Sequence, residues 1–173
     1  MLIALVTILL LTGLIFGRKT LANLVNGNVH FPTELVGDVL IMDDGMKFTV
    51  FRDLRVGDKV DNKYKPAVFV VRFKFRNLGI EANKRLSLIP VPFLMGMEGF
   101  REKVWTFNEE TMTFQGIYQW SSKETAQRYP ESLIFKIMSK RAAPGTVSYE
   151  IIPGTDISGY LQTLLDQQHE VLK

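Results

Sequence analysis

The chain has 173 residues, of which 23% are charged and 46% hydrophobic, and its formal net charge is +3. This composition is typical of a globular protein, and lysine and arginine are scattered along the sequence, so we predict no nucleic-acid partner. The chain contains no cysteine, which excludes disulfides, thiolate nucleophiles and cysteine-ligated metal centres.

The first segment is apolar. Residues 2–17 contain no charged side chain, and Arg18 and Lys19 follow directly. A membrane-spanning helix needs about 17 to 25 apolar residues, so we predict a single-pass membrane anchor over residues 1–19. The alternative is a cleaved secretory signal peptide, which the missing positive charge at the amino terminus disfavours. Because the cations follow the segment, the positive-inside rule predicts a membrane protein whose domain lies in the cytoplasm.

Residues 20–65 are predicted to form an extra β-rich segment and linker. Strands are expected over 36–42 and 47–54, separated by a turn at 43–45. This unit could cover a cavity, extend a sheet or bind a partner, and its sequence favours none of these roles over the others. His30 precedes a Phe-Pro pair and His169 lies near the end of the chain, and both are interpreted as structural residues.

The main domain is predicted over residues 66–173. Residues 67–76 alternate as a strand, with Phe69, Val71, Phe73 and Phe75 on one face. A helix over 80–89 follows and is stopped by Pro90, which lacks a backbone donor. An irregular link is expected from there to Gly99.

Residues 99–120 read as a β-hairpin with an aromatic face. A four-residue turn at 108–111 places Phe107 opposite Met112 and Trp105 opposite Phe114. Tyr118 and Trp120 share the face of Trp105. The other face also carries apolar residues, which suggests that both sides of the hairpin are buried.

A helical region begins at Ser121 or Ser122, and Pro130 either kinks it or divides it into two helices. A strand over 146–152 and an amphipathic helix from 156 or 158 complete the chain. The order βαββαβ predicts an α+β, ferredoxin-like domain with an added carboxy-terminal helix. Helices cover one face of such a sheet, and a second copy commonly buries the other, so a homodimer is expected.

The hairpin sequence 99–105, the strand end 116–120 and the helix sequence 126–129 resemble small monooxygenases of the dimeric α+β barrel superfamily, with the antibiotic biosynthesis monooxygenases and related putative monooxygenases as the nearest group. The resemblance covers residues 67–153. It implies a cavity between sheet and helices in which a lipophilic aromatic or quinol-type substrate reacts with oxygen without a cofactor or metal.

Seven residues are assigned to this site from the resemblance and the predicted faces. The catalytic set is Trp120, Tyr129 and Arg72, and the substrate-binding set is Trp105, Tyr118, Lys74 and Phe114. Trp120 matches a tryptophan that the family places at the end of this strand, whereas Tyr129 stands where many relatives carry a helix histidine. Arg72 and Lys74 are expected to stabilise a phenolate or enolate.

Each of these residues also has a structural interpretation. Aromatic stripes on strands are more often core than substrate site, and long cations often reach solvent from a rim. Two further functions stay open, a membrane-tethered module that binds a ligand or serves as a scaffold without catalysis, and haem binding or degradation with Tyr129 as a tyrosinate ligand.

Overall fold

The protein is described by a computed structural model over residues 17–57, 65–77 and 79–171, with side chains described up to residue 167. Of the anchor predicted over residues 1–19, residues 1–16 lie outside the described ranges, as do Leu172 and the side chain of His169. Within those ranges, no helix has both the length and the apolar character needed to cross a bilayer.

The described residues form helices and strands in the predicted βαββαβ order from residue 67 onward. The helices are α1 (Arg18–Val25), α2 (Ile80–Leu86), α3 (Val91–Gly96), α4 (Lys123–Arg128), α5 (Leu133–Arg141) and α6 (Ile157–Val171), with a 3-10 turn at Tyr129–Glu131 between α4 and α5. The strands are β1 (Val29–His30), β2 (Val39–Ile41), β3 (Lys47–Val56), β4 (Ala67–Phe73), β5 (Phe100–Asn108), β6 (Thr113–Trp120) and β7 (Ser148–Pro153).

Seven strands of the described chain form one antiparallel sheet in the order β1-β3-β5-β6-β4-β7, with β2 beside the other end of β3. The stretch β5-β6-β4-β7 is the ferredoxin-like core. β3 pairs with the outer edge of β5, from Thr49 opposite Phe107 to Arg55 opposite Glu102. Three roles were left open for residues 20–65. The described part of this segment fulfils one of them, because β3 extends the sheet.

The predicted hairpin is present, but its register is shifted by two residues. Phe107 lies opposite Phe114, and Trp105 lies opposite Gly116. The loop is 109–112 because the Asn108 side chain accepts a hydrogen bond from the Thr111 backbone N–H at 2.7 Å, which holds the turn after Asn108. An even shift keeps every side chain on its predicted face. A bulge between Phe100 and Glu102 moves Arg101 off that face.

The two faces of the sheet are covered by different parts of the chain. The near face, which carries Phe69, Trp105 and Tyr118, packs against the helices between β4 and β7. The far face, which carries Val68, Val104 and Ile117, packs against α6 and the β2–β3 hairpin. The expectation that a second copy buries the far face is thus corrected, because Ile157, Tyr160 and Leu164 of α6 do so within one chain.

The helices differ from prediction mainly at prolines. α2 ends at Leu86, and the expected irregular link contains α3, which has Pro92 in its first turn, where a missing N–H costs little. Pro130 divides the next helical region rather than kinking it. Ser122 forms a capping box with Thr125 at the start of α4, and the Ser132 hydroxyl accepts from the Phe135 N–H at 3.2 Å to begin α5.

Candidate functional site

A cavity of about 90 Å³ lies between the near face of the sheet and helices α2 and α5. Its walls are mostly aromatic and aliphatic. The aromatic lining residues are Phe51, Phe73, Phe75, Trp105, Phe114 and Tyr118, and the polar ones include Asn83, Ser87, Lys103, Gln115 and Arg141. Since an engineered apolar cavity of about 150 Å³ accepts benzene, a planar ring here would fill the enclosed part and project through the opening.

Three predicted substrate-binding residues meet at this cavity. Trp105, Phe114 and Tyr118 all line it. The Phe114 ring lies 4.6 Å from that of Phe107 and 6.3 Å from that of Phe73, centroid to centroid. Packing from several sides therefore fixes the orientation of this wall.

Trp120 and Tyr129 lie behind the cavity wall rather than on it. Trp120 is fully buried, and its ring contacts Phe100 and Tyr129 at centroid distances of 5.6 and 5.3 Å. The Tyr129 hydroxyl donates a hydrogen bond to the Tyr118 hydroxyl at 3.0 Å. Both tyrosines are buried, and burial raises the pKa of each phenol above its ordinary value. Neither phenol is therefore suited to act as a base near neutral pH.

Arg72 and Lys74 are not brought to the cavity wall. Arg72 lies on the far face, where its Nε donates to Gln115 Oε1 at 2.7 Å and its guanidinium pairs with Asp44. Lys74 follows the last residue of β4 and is exposed. The alternation of β4 puts residue 72 on the side opposite Phe69 and Phe73, so the grouping predicted for the site separates in space.

The structure instead places Lys103 in the site, a residue that the sequence analysis did not select. The Lys103 side chain is buried, and its Nζ lies 4.2 Å from the Trp105 ring centroid and 4.4 Å from that of Tyr118. In the described part of the chain it has no ion pair or hydrogen bond. Burial, followed by the charge of Arg52, lowers its pKa well below the ordinary value. The sequence feature that could have identified Lys103 is its position two and four residues before Trp105 and Phe107, on the same apolar face of the strand.

Gly116 gives the aromatic wall its shape. It faces Trp105 across the ladder, and a Cβ atom built on it would lie 2.6 Å from the Tyr118 ring. A side chain at position 116 would therefore displace Tyr118. The missing Cβ lets the tyrosine ring lie over the strand, next to Lys103.

Arg52 connects β3 to the turn that follows α2, beside the cavity. Its guanidinium donates to the Lys84 carbonyl oxygen at 3.1 Å and to the Ser87 hydroxyl. It also lies 5.9 Å from the Trp105 ring centroid. The N-terminal β unit thus contributes one cation that positions the turn after α2 beside the cavity.

The chain is similar in sequence to a known family over part of its length. Residues 68–151 match the family model of the putative mono-oxygenase ydhR. No curated protein matches the sequence significantly. The family match agrees with the resemblance to putative small monooxygenases that the sequence shows over residues 67–153.

Several solved structures match the chain at low identity and with TM-scores below 0.5. An uncharacterised ferredoxin-fold protein from Listeria monocytogenes, related to antibiotic biosynthesis monooxygenases, is 12% identical, with 75% of this chain and 93% of that chain covered and a TM-score of 0.49. A monooxygenase-like protein from Listeria innocua is 13% identical, with 67% and 68% covered and a TM-score of 0.48. The haem-degrading enzyme of Listeria monocytogenes is 13% identical, with 73% and 97% covered and a TM-score of 0.49.

The described residues do not fit haem. The hydroxyl of Tyr129, the residue considered as a tyrosinate ligand, is buried and hydrogen-bonded to Tyr118. The enclosed volume of about 90 Å³ is much smaller than a porphyrin. His30 lines a pocket formed with Arg55 and Glu102 and does not line this cavity. Within the described ranges, no cluster of three or more histidine and carboxylate residues could hold a metal ion.

Proposed function

We propose that the chain is a cofactor-independent monooxygenase that acts on a lipophilic hydroxylated aromatic or quinol-type substrate. The observation that carries the proposal is Lys103, a buried cation without a carboxylate partner among the described residues, held between two aromatic rings at a cavity. An unpaired buried ammonium lowers stability. Its presence in this position is explained if it acts on a bound group.

The first step is removal of a proton from the substrate. Burial lowers the pKa of Lys103 well below its ordinary value, which favours the neutral amine form. This amine accepts the proton of a ring hydroxyl or of its enol. The resulting ammonium then stabilises the phenolate or enolate in a cavity of low dielectric, where such pairs are stronger than in water.

The second step uses the electrons of the substrate itself. The ring carbon that is a CH2 group in the keto tautomer of the substrate loses both hydrogens, one of them as the proton taken up in the first step, and one oxygen atom of O2 becomes its carbonyl oxygen. The other oxygen atom takes the two hydrogens and leaves as water. The substrate loses four electrons and O2 gains four, so no further reductant is required. Trp105 and Tyr118 hold the ring during this reaction by stacking and edge contacts.

The test is oxygen consumption with a panel of enolisable hydroxyaromatic and hydroquinone substrates. Lys103→Met removes the amine and keeps an apolar chain, whereas Lys74→Met changes an exposed lysine outside the cavity. We expect a rate loss of at least about 10²-fold for Lys103→Met, typical for a positioned acid or base, and no loss for Lys74→Met. Equal rates in both variants and the parent would refute the role of Lys103.

A ligand-binding module without catalysis is the second candidate. The same cation between two rings could hold a phenolate or carboxylate ligand without reaction. The outcome that selects this function is saturable quenching of tryptophan fluorescence by the panel, lost in Lys103→Met, with no oxygen consumption in the parent.

We further propose that the anchor predicted over residues 1–19 holds the domain at a membrane. Support comes from the uncharged stretch 2–17 and the cations that follow it. Protease protection of a tagged domain in intact spheroplasts tests the cytoplasmic location. Digestion from outside would contradict it.

A further inference from the structure

Exposed apolar side chains surround the opening of the cavity. Ile89 and Ile137 line the cavity and are 58% and 43% exposed, so they lie at its mouth. Leu88, 45% exposed, precedes Ile89, and Leu133, 67% exposed, lies one turn before Ile137 on α5. These four residues are termed the apolar rim. Water-exposed aliphatic groups concentrated at one opening are a sign of an interaction site.

The segments that contribute residues to the cavity mouth carry more positive charge than the rest of the chain. Residues 74–89 and 132–141 carry seven cations and one carboxylate, whereas the whole chain has a net charge of only +3, so the remainder is net negative. The cations of these segments are Lys74, Arg76, Lys84, Arg85, Lys136, Lys140 and Arg141. Arg76, Lys140 and Arg141 are far apart in sequence but line one pocket, because the end of α5 lies beside the segment that follows β4.

Basic and apolar residues alternate on the outer side of α5. Leu133, Lys136, Ile137 and Lys140 are all exposed. Arg141 lines the cavity and also a second pocket of about 360 Å³, which it shares with Arg76, Asn77 and Lys140. An exposed helix face of this composition is typical of a helix that lies in the interface of a bilayer.

The N-terminal segment joins the domain close to this side. The apolar stretch 2–17 ends where α1 begins. Two side chains attach α1 to α3: the Thr20 hydroxyl donates to the Pro92 carbonyl oxygen at 2.9 Å, and the Asn23 amide donates to that of Met95 at 3.1 Å. Helix α3 begins two residues after Ile89 of the apolar rim.

We propose that the apolar rim and its surrounding cations dock on a bilayer that contains anionic lipids, with the mouth of the cavity opening toward the acyl chains. The rim enters the boundary between headgroups and chains, and the lysines and arginines contact lipid phosphates. Each cation near such a surface strengthens docking by about fivefold. The docking surface stands on its own residues, and only the passage of a lipophilic substrate rests on the proposed function.

The test uses the full chain, which has no natural cysteine. Leu133→Cys carries an environment-sensitive fluorophore on the apolar rim, and Gln162→Cys carries it on exposed α6, over the far face. Vesicles of phosphatidylcholine, with and without phosphatidylserine, are compared. Because residues 2–17 could hold the chain to either vesicle, the measured quantity is local insertion, read as a blue shift and as quenching by spin-labelled lipid.

We expect the label at position 133 to shift and be quenched with phosphatidylserine, and the label at position 162 to stay in a water-like environment. When Lys136→Gln and Lys140→Gln are added, the phosphatidylserine fraction required for insertion of the label at position 133 should rise several-fold. Oxygen consumption with a water-soluble hydroquinone should stay unchanged. That unchanged activity separates this inference from the proposed function.

Several outcomes would overturn the proposal. A label at position 133 that stays water-like on anionic vesicles excludes docking, and equal shifts at both positions exclude this surface. A shift without vesicles assigns the apolar rim to an interface between copies of the chain. A shift caused by a single-stranded oligonucleotide but not by vesicles assigns the cations to nucleic acid.

Discussion

At the scale of single residues, two buried charges lie where packing alone would favour neutral groups. Lys103 faces the cavity, and Asp53 lies on the far face, where its Oδ2 accepts from the Arg55 guanidinium at 3.0 Å. Its Oδ1 has no hydrogen-bond partner within the described ranges. Burial, followed by repulsion from Glu102 and opposed by Arg55, raises the pKa of Asp53 to about 7.

This shift predicts how stability depends on pH. Between the ordinary pKa of 3.8 and about 7, the folded state binds more protons than the unfolded state. The stabilising contribution of the Asp53 carboxyl is therefore fully present below pH 4 and is lost as the pH rises to 7. Asp53→Asn stays neutral throughout. We expect its unfolding free energy, relative to the parent, to rise by roughly 2–4 kcal/mol from pH 4 to pH 7, measured by urea denaturation.

The matched control is Asp38→Asn, at an exposed position. It should show no comparable gain across this pH range. A constant difference between Asp53→Asn and the parent from pH 4 to pH 8 would contradict the elevated pKa of Asp53.

At the scale of elements, α6 decides how the far face is covered. Leu164 is 3% exposed and packs in the far-face cluster, whereas its neighbour Leu165 is 48% exposed. Leu164→Ala should lower the unfolding free energy by about 2–5 kcal/mol, and Leu165→Ala by less than about 0.5 kcal/mol. Thermal or denaturant unfolding measures both. Equal costs would show that α6 does not pack on the sheet through Leu164.

The elements of the core were largely predictable from periodicity, because period-2 alternation in β4 and in the β5–β6 hairpin survives a shift of register by two residues. The turn was misplaced because the Asn108 side chain bonds to the Thr111 N–H, and that local bond has no periodic signal. Likewise α3 was missed, because Pro90 and Pro92 read as breakers although one of them lies in a first helical turn.

The sequence predicted which face of the β5–β6 hairpin lines the site, but it did not predict the full set of residues that meet there. Trp105, Phe114 and Tyr118 come together because they alternate on paired strands. Arg72 was misgrouped because a strand buried on both sides gives no sign of which face meets a cavity. Lys103 was overlooked because a lysine on an aromatic face is usually assigned to a rim, and its burial depends on β3 covering the edge of β5.

At the scale of the whole molecule, the prediction concerns the oligomeric state. The superfamily resemblance favours a homodimer, and we keep this as a prediction, although α6 already covers the far face of each copy. Sedimentation of the full chain in detergent, corrected for bound detergent, should give twice the mass of 19.7 kDa. A single species at the monomer mass over a wide concentration range would contradict the dimer.

The position of β3 at the edge of β5 also constrains the order of events during synthesis. β3 can form its local hairpin with β2 as soon as both have left the ribosome, but its long-range partner is completed only at Asn108. Until then Phe48, Val50 and Leu54 have no sheet to pack on, although all three are buried in the finished protein. The nascent chain therefore carries an unshielded apolar strand for about fifty residues of translation, the period in which a chaperone is most useful to it.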